Sequence, residues 1–525
     1  MSQHPAFMDQ PSPSSPADLS NRVGWNYWLR FHPWAVTALV AFVIWVDMVV
    51  YSAVVPILPD IVLNKLGLTS THTGILVGLY ALGMILFTPV FGYWSDSKQD
   101  RKLPILVSLA GLILSSLLFI FCTEYWHFML VRFVQGVAAA GNWTVGLALA
   151  NDVFPNEQLG TVMGVVLSAM NFGYLAGPIV GGLLYDKVSY NSPFYFFMAV
   201  TAVAVVFRLA VDESVAVEYK IQYLNNTVGG IALAQARKEK ELESESGSLV
   251  CDASAAAAVA QAGVDRGENV TMRELLVGRP VWVNCVAIIV CGIVQSGLEP
   301  VLPPYMTEHF GTSVSDNGLL FLAVSIPGLV MAPLAGHWYD KYNGRQLMIL
   351  GLVLTAIATP LIALMPTLLW VIVSLVVFGI IFPIALTPPL PEMGVYVNTL
   401  YPAAAGRVYS MFTIAFSVAL FIGPIMAGAV YDAIGLLVCF IILGSLCLLT
   451  AVLYWWYDLR QGRDEAGQHA TSVPVSDRES DVTIAGAQGD DIEAVSAGQI
   501  ANVPTFAEFY LQSRAASTTE STTAV

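Results

Sequence analysis

A run of about 20 apolar residues can cross the ~30 Å hydrocarbon core of a bilayer as a helix, and hydrocarbon leaves its backbone few other options. This chain of 525 residues contains twelve such runs, at 34–57, 73–94, 103–122, 126–150, 159–185, 193–211, 281–304, 315–337, 346–365, 367–397, 405–431 and 435–457. They fall into two blocks of six on either side of a polar segment, 212–280. The expected architecture is an all-α membrane protein of twelve transmembrane helices in two six-helix halves, 34–211 and 281–457. Only 12% of the residues are charged, against about 25% in soluble domains, so a bilayer rather than water meets most of the surface. The polar remainder is expected to form a disordered tail over 1–33, a flexible linker over 212–280 and a disordered tail over 458–525. Within the linker, "ARKEKELESESGS" reads as a short charged helix.

Orientation follows from Lys and Arg near the span ends. With the N-terminus inside, the short inner loops hold Lys98, Arg101, Lys102, Lys341, Arg345 and Arg407, and the outer loops hold Lys65 and Lys187. Both termini and the linker are therefore expected in the cytoplasm. The sequons at Asn225 and Asn269 then lie on the cytoplasmic side and the one at Asn142 inside a span, so none is expected to carry glycan. The last 68 residues hold 11 Asp/Glu and 4 Lys/Arg, and the whole chain has a net charge of -15, which argues against a nucleic-acid partner. The six cysteines lack metal-ligand spacing and read as small buried hydrophobes, so neither a metal site nor a disulfide framework is expected.

Two short polar stretches are near copies. "GYWSDSKQDR", Gly92 to Arg101, follows span 2, and "GHWYDKYNGR", Gly336 to Arg345, follows span 8 at a shift of 244 residues. Pro56-Ile57-Leu58-Pro59 and Pro300-Val301-Leu302-Pro303 repeat at the same shift, as do Pro89 and Pro333, while "GPIVGGLLYD" and "GPIMAGAVYD" repeat at 246. The chain is a duplicated six-helix unit. Parallel repeats of that kind build transporters whose halves rock about a central site. Gly92 and Asp96, with Arg101 close by, and the counterparts Asp340 and Arg345 are candidate gate residues that lock the cytoplasmic end of the halves in one state. The plainer reading is a solvated loop carrying the positive-inside charges.

These motifs resemble the major facilitator superfamily. The hinge after span 2 and its degenerate copy after span 8 look like the family's loop signature, and "RFVQGVAAA", Arg132 to Ala140, resembles its RxxQG motif. "GYLAGPIVGG", Gly173 to Gly182, resembles the GxxxGPxxGG motif of its drug:proton antiporters, which would make Gly173, Gly177, Pro178, Gly181 and Gly182 a bare face sealing the contact between halves. "WVDMVVYSAVVPILP" and "GLEPVLPPYM" look most like spans 1 and 7 of the vesicular monoamine and acetylcholine transporters. Where those carry a Lys in span 2 and acids in spans 10 and 11, this chain has Tyr80, Leu386 and Thr413. The resemblance implies that spans 1, 4, 7 and 10 line a central cavity.

Four charged residues lie at least five positions from either end of a span: Asp47, Arg132, Glu299 and Glu392. Such groups are costly in a membrane and stand as functional candidates. Rise per residue places Asp47 and Arg132 at similar depth, where they are candidates for a pair, either static or engaged in proton exchange. Glu299 is a candidate cargo site or a wet mouth position. Glu392, in the proline-broken "FPIALTPPLPEMG", either faces a cavity or reaches for the inner interface. Trp45, Tyr51, Tyr80, Trp143 and Tyr174 could box an organic cation, although packing and interfacial belts account for most membrane aromatics.

The expected function is a proton-coupled exporter, driven by the proton gradient without a cofactor, that moves a small cationic or amphipathic molecule across the cell membrane as a monomer. A vesicular or vacuolar amine:proton antiporter is the alternative, and a sugar-type symporter or a non-transporting receptor stands further off. No nucleophile constellation or P-loop is present to suggest an enzyme.

Overall fold

The computed structural model describes residues 32–68, 70–98, 100–211, 279–312, 314–401 and 404–471. The N-terminal tail up to 31, the linker from 212 to 278 with its charged-helix reading, Cys251, the sequons at Asn225 and Asn269, and the tail beyond 471 lie outside the described residues.

Among the described residues twelve helices are long and apolar enough to cross a membrane. Spans 1 to 6 are Pro33–Val54, Gly74–Lys98, Lys102–Ile120, Tyr125–Val153, Asn156–Tyr185 and Ser192–Ala210. Spans 7 to 12 are Val281–Phe310, Leu320–Lys341, Gly344–Ala363, Leu368–Leu400, Ala405–Ile434 and Leu436–Leu459. The helix of span 7, Arg279–Phe310, runs through Pro300, Pro303 and Pro304, past the end expected at 304. A proline removes one backbone hydrogen bond, and in a membrane a continued helix satisfies the rest. The helix of span 12 extends to Thr471, into residues read from sequence as tail.

Span 10 breaks where its prolines cluster, into Leu368–Leu386 and Pro389–Leu400. The break does not face a cavity. Leu386, Thr387, Leu390 and neighbouring residues are buried, so protein rather than water surrounds the irregular backbone.

The two blocks repeat one pattern of contacts. Span 1 packs along span 5 and span 7 along span 11; spans 2 and 4 meet as spans 8 and 10 do, and spans 3 and 6 as spans 9 and 12 do. Between blocks, span 5 packs on span 8 and span 11 on span 2. Large apolar side chains such as Leu86, Val90, Leu114, Val206, Ile357, Val373 and Leu449 stay exposed along spans 2, 3, 6, 9, 10 and 12. In a bilayer these are the lipid-facing stripes.

Small residues set the closest approaches. Gly173, Gly177 and Gly181 of the GxxxGPxxGG motif face span 1, where a side chain on them would run into Trp45, Met48, Val49, Ser52 and Ala53, while Gly182 has nothing within 4 Å. The motif therefore packs inside the first block and does not seal the contact between blocks. That contact uses other glycines of the same helix. Gly160 abuts Gly336 of span 8, and a Cβ on Gly164 would lie 2.5 Å from the Ala332 carbonyl oxygen and 2.9 Å from Pro333 Cα. Backbone atoms cannot step aside as a flexible side chain can, so Gly164→Val is expected to cost about 1–3 kcal/mol, as core overpacking does. In detergent this variant should melt several degrees below wild type, whereas Gly182→Ala should melt with it. Equal melting of all three proteins would contradict the span 5–span 8 approach.

Candidate functional site

The copied hinges form two reciprocal latches at one end of the bundle. Asp96, at the end of span 2, is 2% exposed and accepts the backbone N–H groups of Gly406 and Arg407, each at 2.8 Å, where span 11 begins. Arg101 donates to the same carboxylate at 2.8 Å and reaches Asp152 of span 4 with its Nε, also at 2.8 Å. Arg407 Nε adds a charge at 3.5 Å. Asp340, at the end of span 8, accepts the N–H groups of Gly160 and Thr161 at 2.7 Å and the Thr161 hydroxyl at 2.5 Å, where span 5 begins. Each hinge carboxylate thus caps a helix N-terminus of the other block, satisfying unpaired amides and matching the positive end of the helix dipole. Gly406 is required here, since a Cβ on it would sit 2.7 Å from Asp96 Oδ1.

The cations of the two latches differ. Burial works against the charge on Arg101, but the carboxylates of Asp152 and Asp96 outweigh it and hold the guanidinium above its ordinary pKa. Arg345 turns away from Asp340 and bonds Glu392 at 3.0 Å, with Asp458 at 3.6 Å. Glu392 also accepts the Tyr339 hydroxyl at 2.8 Å. It therefore belongs to the hinge end, in the second block's ion cluster, and not to a central cavity. Near by, Asn151 and Asn398 exchange amide hydrogen bonds across the blocks at 2.8 and 3.2 Å.

Deeper in the bundle Asp47 and Arg132 do not form the expected pair, because Tyr80 stands between them. The Tyr80 hydroxyl donates to Asp47 at 3.2 Å, and the Arg132 guanidinium lies over the Tyr80 and Tyr51 rings, 5.3 and 5.4 Å from their centroids. Asp47 also accepts Trp143 Nε1 at 3.1 Å and Asn142 Nδ2 at 3.5 Å. Arg132 donates to the Leu76 carbonyl at 3.3 Å and to Gln135 at 2.7 Å.

Tyr51, 4.5 Å from Tyr80 and 6.1 Å from Tyr174 between ring centroids, continues a ladder toward Glu299, to which the Tyr174 hydroxyl donates. Asp47 and Glu299 thus stand at the two ends of a row of three tyrosines, with the guanidinium above it.

At the Glu299 end a small cavity opens between the blocks. Span 1 supplies Met48 and Tyr51, span 5 Met170 and Tyr174, span 7 Gln295 and Glu299, and span 11 Phe416 and Leu420. Spans 1 and 7 line it as expected. Spans 4 and 10 do not, and their places are taken by spans 5 and 11. Of the five candidate aromatics, Tyr51 and Tyr174 line the cavity, whereas Tyr80 and Trp143 hold Asp47. Trp45 stacks on Phe42 and Phe172 away from it. Gln295, Phe416 and the two methionines were not singled out from the sequence. Gln295 alone had a signal, as the polar residue one helical turn before Glu299.

The ionisable cluster lies beside this small cavity, and the two latches lie at one end of the bundle. The profile of the Major Facilitator Superfamily matches residues 40–249 and 285–501. The mouse vesicular acetylcholine transporter is 25% identical over 367 residues, 69% of this chain and 61% of that protein, so the match spans less than two thirds of that relative. An uncharacterised MFS-type transporter of Schizosaccharomyces pombe is 22% identical over 442 residues, 80% of this chain and 94% of its own length. The crystal structure of the human organic anion transporter MFSD10 shares the fold with a TM-score of 0.61 at 16% identity, covering 81% of this chain and 99% of that one. With the profile matching both blocks and twelve membrane-length helices carrying it, the chain is a multi-pass membrane protein that belongs to the major facilitator superfamily.

Proposed function

We propose that this protein is a proton-coupled secondary transporter that moves a small organic cation out of the cytosol by alternating access. In this reading the chain is two six-helix halves, and the latched end, rich in Lys and Arg, is cytoplasmic together with both termini. The arrangement described above is then the state closed toward the cytosol, with the cavity turned to the other side.

The observation that carries the reading is the charge count of the intramembrane cluster. Asp47 and Glu299, both ionised, and Arg132 sum to one negative charge. In surroundings of low dielectric a net charge is unfavourable, and either one proton or one monocation restores neutrality. Proton and cargo therefore compete. Asp47, screened from the cavity by Tyr51 and Tyr80, suits the proton, and Glu299, on the cavity wall, suits the cargo. The methionines, Phe416 and Leu420 suit an apolar body attached to the charge.

A vesicular or vacuolar amine:proton antiporter is the second reading, favoured by the relatives named vesicular acetylcholine transporters. Its chemistry is the same and only the membrane differs.

Reconstituted vesicles, acid inside, test the coupling. Wild type should accumulate an organic ammonium in a protonophore-sensitive way, and Asp47→Asn, permanently neutral, should lose that accumulation by about tenfold or more. Arg132→Ala should be at least as damaging, because it leaves the cluster with two negative charges. Protonophore-sensitive accumulation by Asp47→Asn at the wild-type level would remove Asp47 from the coupling.

The latches generate a separate expectation. Asp96→Asn should fold and reach the membrane but turn over slowly, with its cytoplasmic end open more often. In an Asn398→Cys background, a hydrophilic maleimide applied from that end should label it about fivefold faster than the same protein with Asp96 intact. Equal labelling and wild-type turnover would return Asp96 to the role of a solvated loop residue.

A further inference from the structure

Gln295 and Glu299 are four residues apart on span 7, hence on one face of the helix, and both look into the cavity. Their hydrogen bonding differs. Glu299 accepts the Tyr174 hydroxyl and, as a carboxylate with about four lone-pair sites, keeps acceptor capacity for cargo. Gln295 Oε1 is buried and has no partner among the described residues. A buried carbonyl oxygen left without a donor is unfavourable, so a ligand that brings one gains affinity and a ligand that cannot is rejected. Of the other lining residues, Met48, Met170, Phe416 and Leu420 offer no acceptor beyond weak thioether sulfurs, and Tyr51 and Tyr174 add phenolic hydroxyls, that of Tyr174 already donating to Glu299.

Resting on the reading of Glu299 as the cargo's counter-charge, we propose that Gln295 is a specificity residue that selects ammonium cargo with at least two N–H bonds. One N–H is donated to Glu299 and the second to Gln295 Oε1. A primary or secondary ammonium satisfies both acceptors. A tertiary ammonium has one N–H, which the carboxylate takes, and a quaternary ammonium has none and turns methyl groups toward the amide oxygen. Charge alone does not separate these four, since all are monocations that Glu299 can neutralise. The count of N–H bonds separates them, and the break falls between the secondary and the tertiary member. Quaternary cargo of the acetylcholine kind is thereby disfavoured, whatever the overall likeness to transporters named for it.

The test is equilibrium binding to the purified full-length protein of four probes that differ in one methyl group each: phenethylammonium and its N-methyl, N,N-dimethyl and N,N,N-trimethyl derivatives. Wild type should bind the first two with similar Kd and the third about tenfold more weakly, as expected for one unmatched hydrogen bond, with the fourth at least as weak as the third. Gln295→Met conserves volume and removes the amide, and should level the series by weakening only the first two probes. Gln295→Asn, which keeps the amide but withdraws it by one methylene, should do the same in part. Glu299→Gln should weaken all four alike. A level series in wild type, or a step that persists in Gln295→Met and Gln295→Asn, overturns the role of Gln295 while leaving Glu299 in place. Indifference of all four probes to Glu299→Gln overturns instead the reading of Glu299 on which this proposal stands, and failure of every probe to bind wild type overturns both.

Discussion

Hydrocarbon does not tolerate an unmatched charge, and the architecture of this protein can be followed from that constraint. Each carboxylate drawn into the bundle has been met in a different way. Asp96 and Asp340 are met by backbone amides at helix N-termini, with Arg101 added to the first. Glu392 is met by Arg345 and Tyr339. Among the described residues Asp47 is met by neutral donors, Tyr80, Trp143 and Asn142, and Glu299 by Tyr174. The first three are balanced within the protein. In the proposed reading the last two share the one guanidinium of Arg132, and a proton or a cationic cargo supplies the remaining positive charge.

Duplication explains how a single device serves both blocks. The hinge aspartates recur at a shift of 244 residues, and the amides they cap, on Gly160-Thr161 and Gly406-Arg407, recur at 246. Each block therefore carries one hook and one eye, and the two latches close together. They are not equivalent in charge. Arg101 reinforces Asp96, whereas Arg345 has been drawn to Glu392, which leaves Asp340 on backbone and hydroxyl donors. Removing one partner of a buried charged pair typically costs about 3–5 kcal/mol because it leaves a charge uncompensated, so the Asp96 latch is the more sensitive of the two to loss of a charged partner.

Span number and the repeated contact pattern were legible in the sequence, because apolar length and repeated spacing are written in one dimension. Depth was legible as well. Rise per residue brought Asp47 and Arg132 to comparable levels, and both border the same tyrosine ladder. What sequence could not supply was rotation about each helix axis. Successive residues point about 100° apart, so an error of one position turns a side chain toward a different neighbour. That is why Tyr80 came between Asp47 and Arg132, why the Gly173 face met span 1 rather than the other block, and why spans 5 and 11 replaced 4 and 10 around the cavity. Of the two places open to Glu392, the cavity and the end of the span, the structure gives the second. The proline break suggested an irregular segment beside water, and only the folded chain reveals Arg345, 47 residues earlier, as its partner.

The account turns on one claim, that proton and cargo are alternative ways of neutralising a cluster with one negative charge to spare. Proton release on binding addresses it most directly. Purified protein in weak buffer with a pH-sensitive dye would be titrated with an organic ammonium that it binds. The account predicts release of about one proton per cation bound, and in Asp47→Asn, which mimics the protonated state, no release and a weakened cation affinity that no longer varies with pH. Cation binding without proton release at any pH, together with an affinity that does not change with pH, would contradict it.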